Sequence, residues 1–426
     1  MLNEHELRRT VVGEMHLRRW PRIVPACTIV QIVNVVAAEE RDEEIVQLAA
    51  LPVGASADDG INPRHQSGTL PADIAYGWEK HSEASSVTLF MHGLGRDIPP
   101  AALDWLLGFP GKTIRATRMF IVADDDAAEQ LLPSLGFEAL DLVSCNIGCT
   151  GTDKVARIWS DFRLRDDGFG CVLIAANGMS GGDLSRTAQR LQELGNYRNL
   201  ALLGLPVAQQ GWRVLDRVEA QLSALTSRVA QPDVTDDALL EEVSRLSMEL
   251  ATEATASDFR MSATEAYAQI VAERLDDLCI RPCTGYQSLA DFTQRRLLPA
   301  VRTCAAHRRR SEQLAMRTAQ FVSLFRTRIE TRIENQNGEL LASMESNADR
   351  QLRLQELVEG FSVVALTYYG ISLIAHMLEG MEGLGLHFHA GLVMALLTPV
   401  VALLMWLTVH RRKKRALAAA SPPPHS

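Results

Sequence analysis

The chain has 426 residues, of which 22% are charged and 47% hydrophobic, and its formal net charge is −9. That apolar content is enough for a buried core, which excludes a disordered chain. The acidic balance argues against nucleic acid as a partner. Seven cysteines, an odd number without a regular framework, suit reduced thiols better than a disulfide scaffold.

The N-terminus, MLNEHELRRT, is polar and has no apolar core of the secretory kind. Residues 1–25 are polar and basic, with Arg18, Arg19, Trp20 and Pro21. Cys27–Val36 is β-branched and apolar and reads as a strand. Residues 52–75 hold Gly, Pro, Asp and Ser and read as a loop. Ser85–His92 and Thr113–Val122 read as further strands, and Asp124–Leu132 as a short acidic helix stopped by Pro133. Asp141–Ile147, Val155–Arg165 and Gly170–Ala176 complete a mainly β part, with a hairpin turn at Asp166-Asp167-Gly168. Residues 1–180 are therefore predicted to form a mixed sheet with helices, an α/β domain.

From Asp183 the apolar spacing changes to three and four, and residues 181–283 read as a helical domain. The predicted helices are Asp183–Leu203, Gly211–Val229, Thr235–Ala254 and Ser262–Leu278, with Thr235 as an N-cap ahead of Asp236 and Asp237. Residues 284–360 read as long stalk helices. Pro299 is expected to kink or interrupt them, but no proline follows from Arg310 to Leu378. At about 1.5 Å per residue that run makes a rod on the order of 100 Å. Val322, Phe325, Ile329, Ile333, Leu340, Met344, Ala348 and Leu352 form a narrow apolar seam along it. Gln336 sits in that seam, and Gly338 weakens the helix by about 1 kcal/mol. Such a seam packs against like helices in other copies, or folds back on the chain's own helical domain.

Residues 361–409 carry the apolar hairpin. Phe361–Leu378 and Phe388–Val409 contain no Asp, Glu, Lys or Arg. A helix needs roughly 20 apolar residues to cross a bilayer, so both are predicted spans. His410–Arg415, HRRKKR, is basic and by the positive-inside rule stays in the cytoplasm. Two crossings then place both termini in the cytoplasm of a bacterial inner-membrane, multi-pass protein, with Glu379–His387 as the outer loop. Residues 410–426 read as a basic and disordered tail, its Ala416–Ser426 end being rich in Ala and Pro.

No P-loop, GxGxxG, GxSxG, HExxH or EF-hand loop occurs, and no nucleophile with a base is identified, so an enzyme is not expected. His92-Gly93-Leu94-Gly95 reads as a turn. Asp124-Asp125-Asp126 offers oxygen ligands to a divalent ion or favourable charge to a helix N-terminus. Cys145 with Cys149 and Cys279 with Cys283 read as buried or idle thiols rather than a metal site, since neither pair has CxxC spacing.

In the first span, Ser362, Tyr369, Ser372 and His376 fall within an arc of about 80°. Gln355, Ser362, Tyr369 and His376 also recur every seventh residue, which keeps them on one side of a supercoil. Polar groups in lipid face protein or water. A ring of such helices would line a passage, with Glu379 and Glu382 gathering cations outside. The same groups would equally serve to glue helices together, with Gly360 and Gly370 allowing close approach. Glu382, His387 and His389 are a candidate metal set at the outer end.

Two resemblances follow from these residues. Over nearly its whole length the chain resembles a family of uncharacterised bacterial membrane-anchored proteins. The stretches that carry this are Glu79-Lys80-His81-Ser82-Glu83, Ile158-Trp159-Ser160-Asp161-Phe162-Arg163, Asn196-Tyr197-Arg198, Ala201 to Ala208, Gln351 to Gln355 and Val358 to Ala365. The second resemblance is architectural. An α/β domain, a long stalk helix, two C-terminal spans and a basic tail are similar to the CorA-type magnesium transporters. Gly380-Met381-Glu382 lies where that family places Gly-Met-Asn; Glu in place of Asn changes how a hydrated ion would be held.

The second resemblance implies a homo-oligomer, a pentamer if CorA-like, with the first span lining the path. The expected function is a divalent cation channel or transporter, with an ion such as Mg as cargo and no resident cofactor. The partners are the lipid bilayer and further copies. The alternative is a membrane-anchored cytoplasmic scaffold or sensor without transport.

Overall fold

A computed structural model describes residues 4–14, 20–58, 62–95, 97–148, 154–229, 234–382 and 390–419. Two compact units divide at Ser323 and Leu324.

In the first unit the elements follow as α1 (Arg8–Glu14), β1 (Cys27–Val35), α2 (Arg41–Ala49), β2 (Ser56–Ala57), β3 (His65–Leu70), β4 (Ile74–Lys80) and β5 (Ala84–His92). Then come α3 (Pro100–Leu107), β6 (Lys112–Val122), α4 (Asp125–Leu131), β7 (Val143–Ile147), β8 (Ala156–Ser160) and β9 (Gly170–Ala175). Helices α5 (Gly181–Leu202), α6 (Gly204–Arg228) and α7 (Asp236–Asp277), the short β10 (Arg281–Pro282) and the start of α8 (Leu289–Glu382) complete it. The strands form one ten-stranded sheet in the order β10-β7-β8-β9-β6-β1-β5-β4-β3-β2. It is mixed: β6 and β9 are parallel, and the remaining neighbours are antiparallel.

Strand β1 is central because both of its faces are apolar. Ile29 and Val33 point to the face covered by Leu184, Ala188 and Leu191 of α5, Val271 of α7 and Phe292 of α8. Val30 and Ile32 point to the opposite face, under Leu48 of α2 and Trp105 and Leu106 of α3. A strand enclosed on both faces reads as a continuous apolar run, which is why CTIVQIVNV was legible. Ser180 caps α5 by accepting from Asp183 N at 3.2 Å, and Thr235 caps α7 by accepting from Ala238 N at 3.3 Å.

The second face contains a buried carboxylate. Glu44 Oε1 accepts the indole N–H of Trp78 at 2.9 Å, and its Oε2 accepts from Arg41 at 2.8 Å. Trp78 is 1% exposed, so Glu44→Ala leaves its N–H without an acceptor. The expected loss is about 1–3 kcal/mol, read as a lowered urea midpoint of the body.

Four expectations are corrected. Residues 52–75 are not a loop, since they contain β2, β3 and the start of β4. The helices expected at Thr235–Ala254 and Ser262–Leu278 are the single α7. Thr255 and Ser257 are weak helix formers in isolation, but Ser257 is buried and returns its hydroxyl to Glu253 O at 2.9 Å. Of the kink or interruption expected at Pro299, the interruption is ruled out, since α8 runs through it. Pro299 and Arg295 both lie on the exposed side, so the carbonyl that loses its N–H partner is left to water. Finally, α9 (Ala390–Ala419) is helical as far as Ala419, so residues 416–419 are not a disordered tail; the rest of the tail lies outside the described residues.

Beside the sheet, α7 packs along α5 and α6. His307 of α8 is fully buried there, 3.4 Å from Glu253 and in edge contact with Trp212. Burial holds its imidazole below the usual histidine range, partly opposed by the Glu253 carboxylate.

Candidate functional site

The candidate site is the helical pair of the second unit. The C-terminal part of α8, from about Glu356, and α9 lie antiparallel there. A side chain on Gly370 would meet Val401 and Met405, while Gly360 and Val363 share a groove with Trp406 and His410. Both helices contain a stretch long and apolar enough to cross a membrane, and no residue of either stretch is buried. Phe361, Val364, Tyr368, Leu373, Leu392, Leu396 and Leu404 are all exposed. An apolar surface this continuous marks a lipid or protein contact.

The apolar seam of α8 is only partly covered. Phe325 is buried and Val322 and Ile329 are half-buried, whereas Ile333, Leu340, Met344 and Leu352 are exposed. The row from Ile333 to Leu352 is thus left open.

Of the four polar residues predicted to share a face, Ser362, Tyr369 and His376 are exposed and Ser372 is half-buried. The side of α8 turned toward α9 is marked by the half-buried Val363, Thr367, Gly370, Ile374 and Leu378. Three of the four candidates therefore stand clear of α9. Two of them turn polar atoms back on the helix: Ser362 Oγ donates to Val358 O at 2.8 Å, and His376 Nδ1 lies 2.7 Å from Ser372 O. Thr367 does the same with Val363 O at 2.7 Å. Such bonds satisfy hydroxyl donors without water.

Glu379 and Gly380, placed in an outer loop by the sequence, are in the last turns of α8, which continues to Glu382. Leu, Met and Glu are good helix formers, so the helix does not stop at the predicted end of the span. Met381 and Glu382 belong to that helix, but their side chains, like His387 and His389, lie outside the described residues. Among the described residues no group of three or more His, Cys, Asp or Glu is placed to hold a metal ion.

One feature at the other end of this pair was missed. A groove of about 360 Å³ is lined by Glu356, Glu359, Gly360, Trp406 and His410. Trp406 stacks on His410 with centroids 5.2 Å apart. Trp at the end of an apolar helix beside a basic run is an interfacial signal, and the sequence displayed it in Trp406 and His410–Arg415.

The body's other candidates have structural roles. Asp124 caps α4 by accepting from Ala127 N at 2.9 Å, and Asp125 accepts from Asn177 Nδ2 at 3.0 Å. Cys145 is fully buried in β7, and burial pushes its thiol up to about 12. Burial likewise pushes Cys171 up to about 12 and Cys27 to about 11. Such thiols stay protonated and inert. Cys279 is exposed, and Cys149 lies outside the described residues.

A family model described as "Protein of unknown function (DUF3422)" matches residues 3–416. The chain belongs to the DUF3422 family. No curated protein matches it, and no solved structure does. DUF3422 membership bears out the resemblance to an uncharacterised family, while the comparisons give no support to the CorA-type resemblance.

Proposed function

We propose that this DUF3422 chain is a membrane-anchored, self-associating protein whose α8–α9 pair tethers the α/β body to a bilayer as a sensor or scaffold. The observation that carries this reading is α8 itself. One helix of 94 residues begins among the core residues of the body and ends as an uncovered apolar stretch. The open row Ile333, Leu340, Met344 and Leu352 supplies a surface for further copies. His410–Arg415 favours cytoplasmic placement of the residues after α9's apolar stretch, and two crossings carry the body to the same side. In bacteria that side is the cytoplasmic face of the inner membrane.

The anchor is tested by Leu373→Arg combined with Leu403→Arg, both at exposed apolar positions. Each arginine at the centre of a span costs about 2.5–3.5 kcal/mol. The double variant is expected to leave the carbonate-resistant membrane pellet; full retention in the pellet contradicts a spanning pair.

A second reading is favoured by one observation: Ser362, Tyr369 and His376 stand on α8 away from α9, where other copies would meet them. In that reading the oligomer, a pentamer if CorA-like, conducts a divalent cation such as Mg along these residues. Ser372 would contribute from the edge, and Glu379 and Glu382 would gather the ion. Proteoliposomes should then take up the ion, and His376→Ala with Glu382→Ala should lower uptake at least tenfold; equal uptake by both proteins contradicts the path. The back-bonded Ser362 and His376 favour the anchor reading over this one.

A further inference from the structure

Between β6, β9 and α5 lies a small cleft of about 70 Å³, lined among others by Arg115 and Thr117 of β6, Phe162, Cys171 and Arg198 of α5. Two half-buried arginines line it without a carboxylate among the lining residues. Arg115 Nη1 donates to Asn196 Oδ1 at 2.8 Å and Gln31 Oε1 at 3.2 Å, both neutral acceptors. Arg198 lies over the Phe162 ring, with Cζ 4.6 Å from its centroid. Its Nη1 is shut off from solvent and has no hydrogen-bond partner among the described residues, and the same holds for Thr117 Oγ1.

The nearby acids are already engaged. Asp161 accepts from Arg165 at 2.9 Å, and Asp167 pairs with Arg118. The charges acting on the two arginines are further cations: Arg198 on Arg115, and Arg296 on Arg198. Burial and then this repulsion push Arg115 down to about 9 and Arg198 to about 10, so both remain charged at neutral pH. The fold makes room for this arrangement. A Cβ on Gly195 of α5 would lie 2.7 Å from Arg115 Nε and 2.8 Å from its Cζ, so the helix approaches the guanidinium only because residue 195 has no side chain.

Enclosing an unneutralised cation costs several kcal/mol unless a partner offsets it. Water would solvate the two groups but would not neutralise them. The cleft has several times the roughly 10–15 Å³ that one water requires. We propose that it binds the phosphoryl group of a small soluble molecule, with Arg115 and Arg198 as charged donors and Thr117 as a neutral one. A phosphate monoester carries about −1.5 to −2 charges at pH 7 and three strong acceptor oxygens. That matches two guanidiniums and a third donor, whereas a carboxylate supplies one charge. Arginine suits the role through its fork of N–H groups. The proposal stands apart from what the α8–α9 pair does.

The test uses the full-length protein in detergent and follows thermal unfolding with millimolar inorganic phosphate or glycerol phosphate. Sodium acetate and chloride at equal ionic strength are the controls. Phosphate or glycerol phosphate is expected to raise Tm by about 2 °C or more over the controls. Arg198→Gln should abolish that rise and Thr117→Val should reduce it. Thr117→Val removes only an unpartnered hydroxyl, so it should fold even where Arg198→Gln does not. No rise, an equal rise with acetate, or a rise unchanged in Thr117→Val overturns the proposal. A rise produced only by phosphatidate vesicles also overturns it, since the ligand would then be a lipid.

Discussion

Arg260→Met is expected to destabilise the body by about 3–5 kcal/mol, the penalty for leaving one buried charge without its partner. Arg260 of α7 holds Glu83, in the turn between β4 and β5, through two bonds of 2.9 and 2.6 Å. Glu83 is only 9% exposed. Its carboxylate also acts on the Tyr267 hydroxyl, which burial and then this charge push well above the usual tyrosine range. Once Arg260 is gone, the carboxylate has no cation and cannot reach water without opening the contact between α7 and the sheet. At roughly 2 °C or more per kcal/mol, Tm should fall by at least about 6 °C. The double variant Glu83→Leu with Arg260→Met should recover most of the loss, because an apolar pair of similar volume replaces a buried ion pair at little net cost. A single-variant loss below about 1 kcal/mol would show that Glu83 is solvated after all.

Leu340→Glu combined with Met344→Glu is expected to break self-association while leaving the body's fold unchanged. Both side chains are exposed, about two thirds of each being open to solvent, so neither contributes to the core. A carboxylate enclosed between helices costs several kcal/mol. Two in every copy, facing like charges in the neighbours, exceed what a narrow apolar seam supplies. Tm of the body should stay within about 1 °C of the parent while particle mass drops. An unchanged mass places the contact between copies elsewhere.

The regular elements were legible where one force dominated. The β1 run, the strand at Ala84–His92 and the switch to helical spacing near Ser180 all report burial directly. Strands β3 and β4 were hidden by their glycines. Gly68 is there because a side chain would collide with Tyr76 and Ala57, at 2.7 and 2.9 Å, and such a close approach looks like loop composition in the sequence. In β4 the alternation of Ile74, Tyr76 and Trp78, all buried, was present but was outweighed by its surroundings. The polar residues of α8 were legible because a helix converts spacing into a face. What those residues bond to was not, since back-bonding to Val358 and Ser372 carbonyls depends on rotamers. The Arg115–Arg198 cleft gave no spacing signal. One guanidinium comes from a strand and the other from a helix, and only the packing of α5 beside β6 brings them together.

Particle mass in lipid nanodiscs is the most direct test of the central claim, that copies of this chain gather through α8. The expected protein mass is a multiple of 46.9 kDa, two copies or more, reduced to one copy by Leu340→Glu with Met344→Glu. A single copy in the unaltered protein would contradict it.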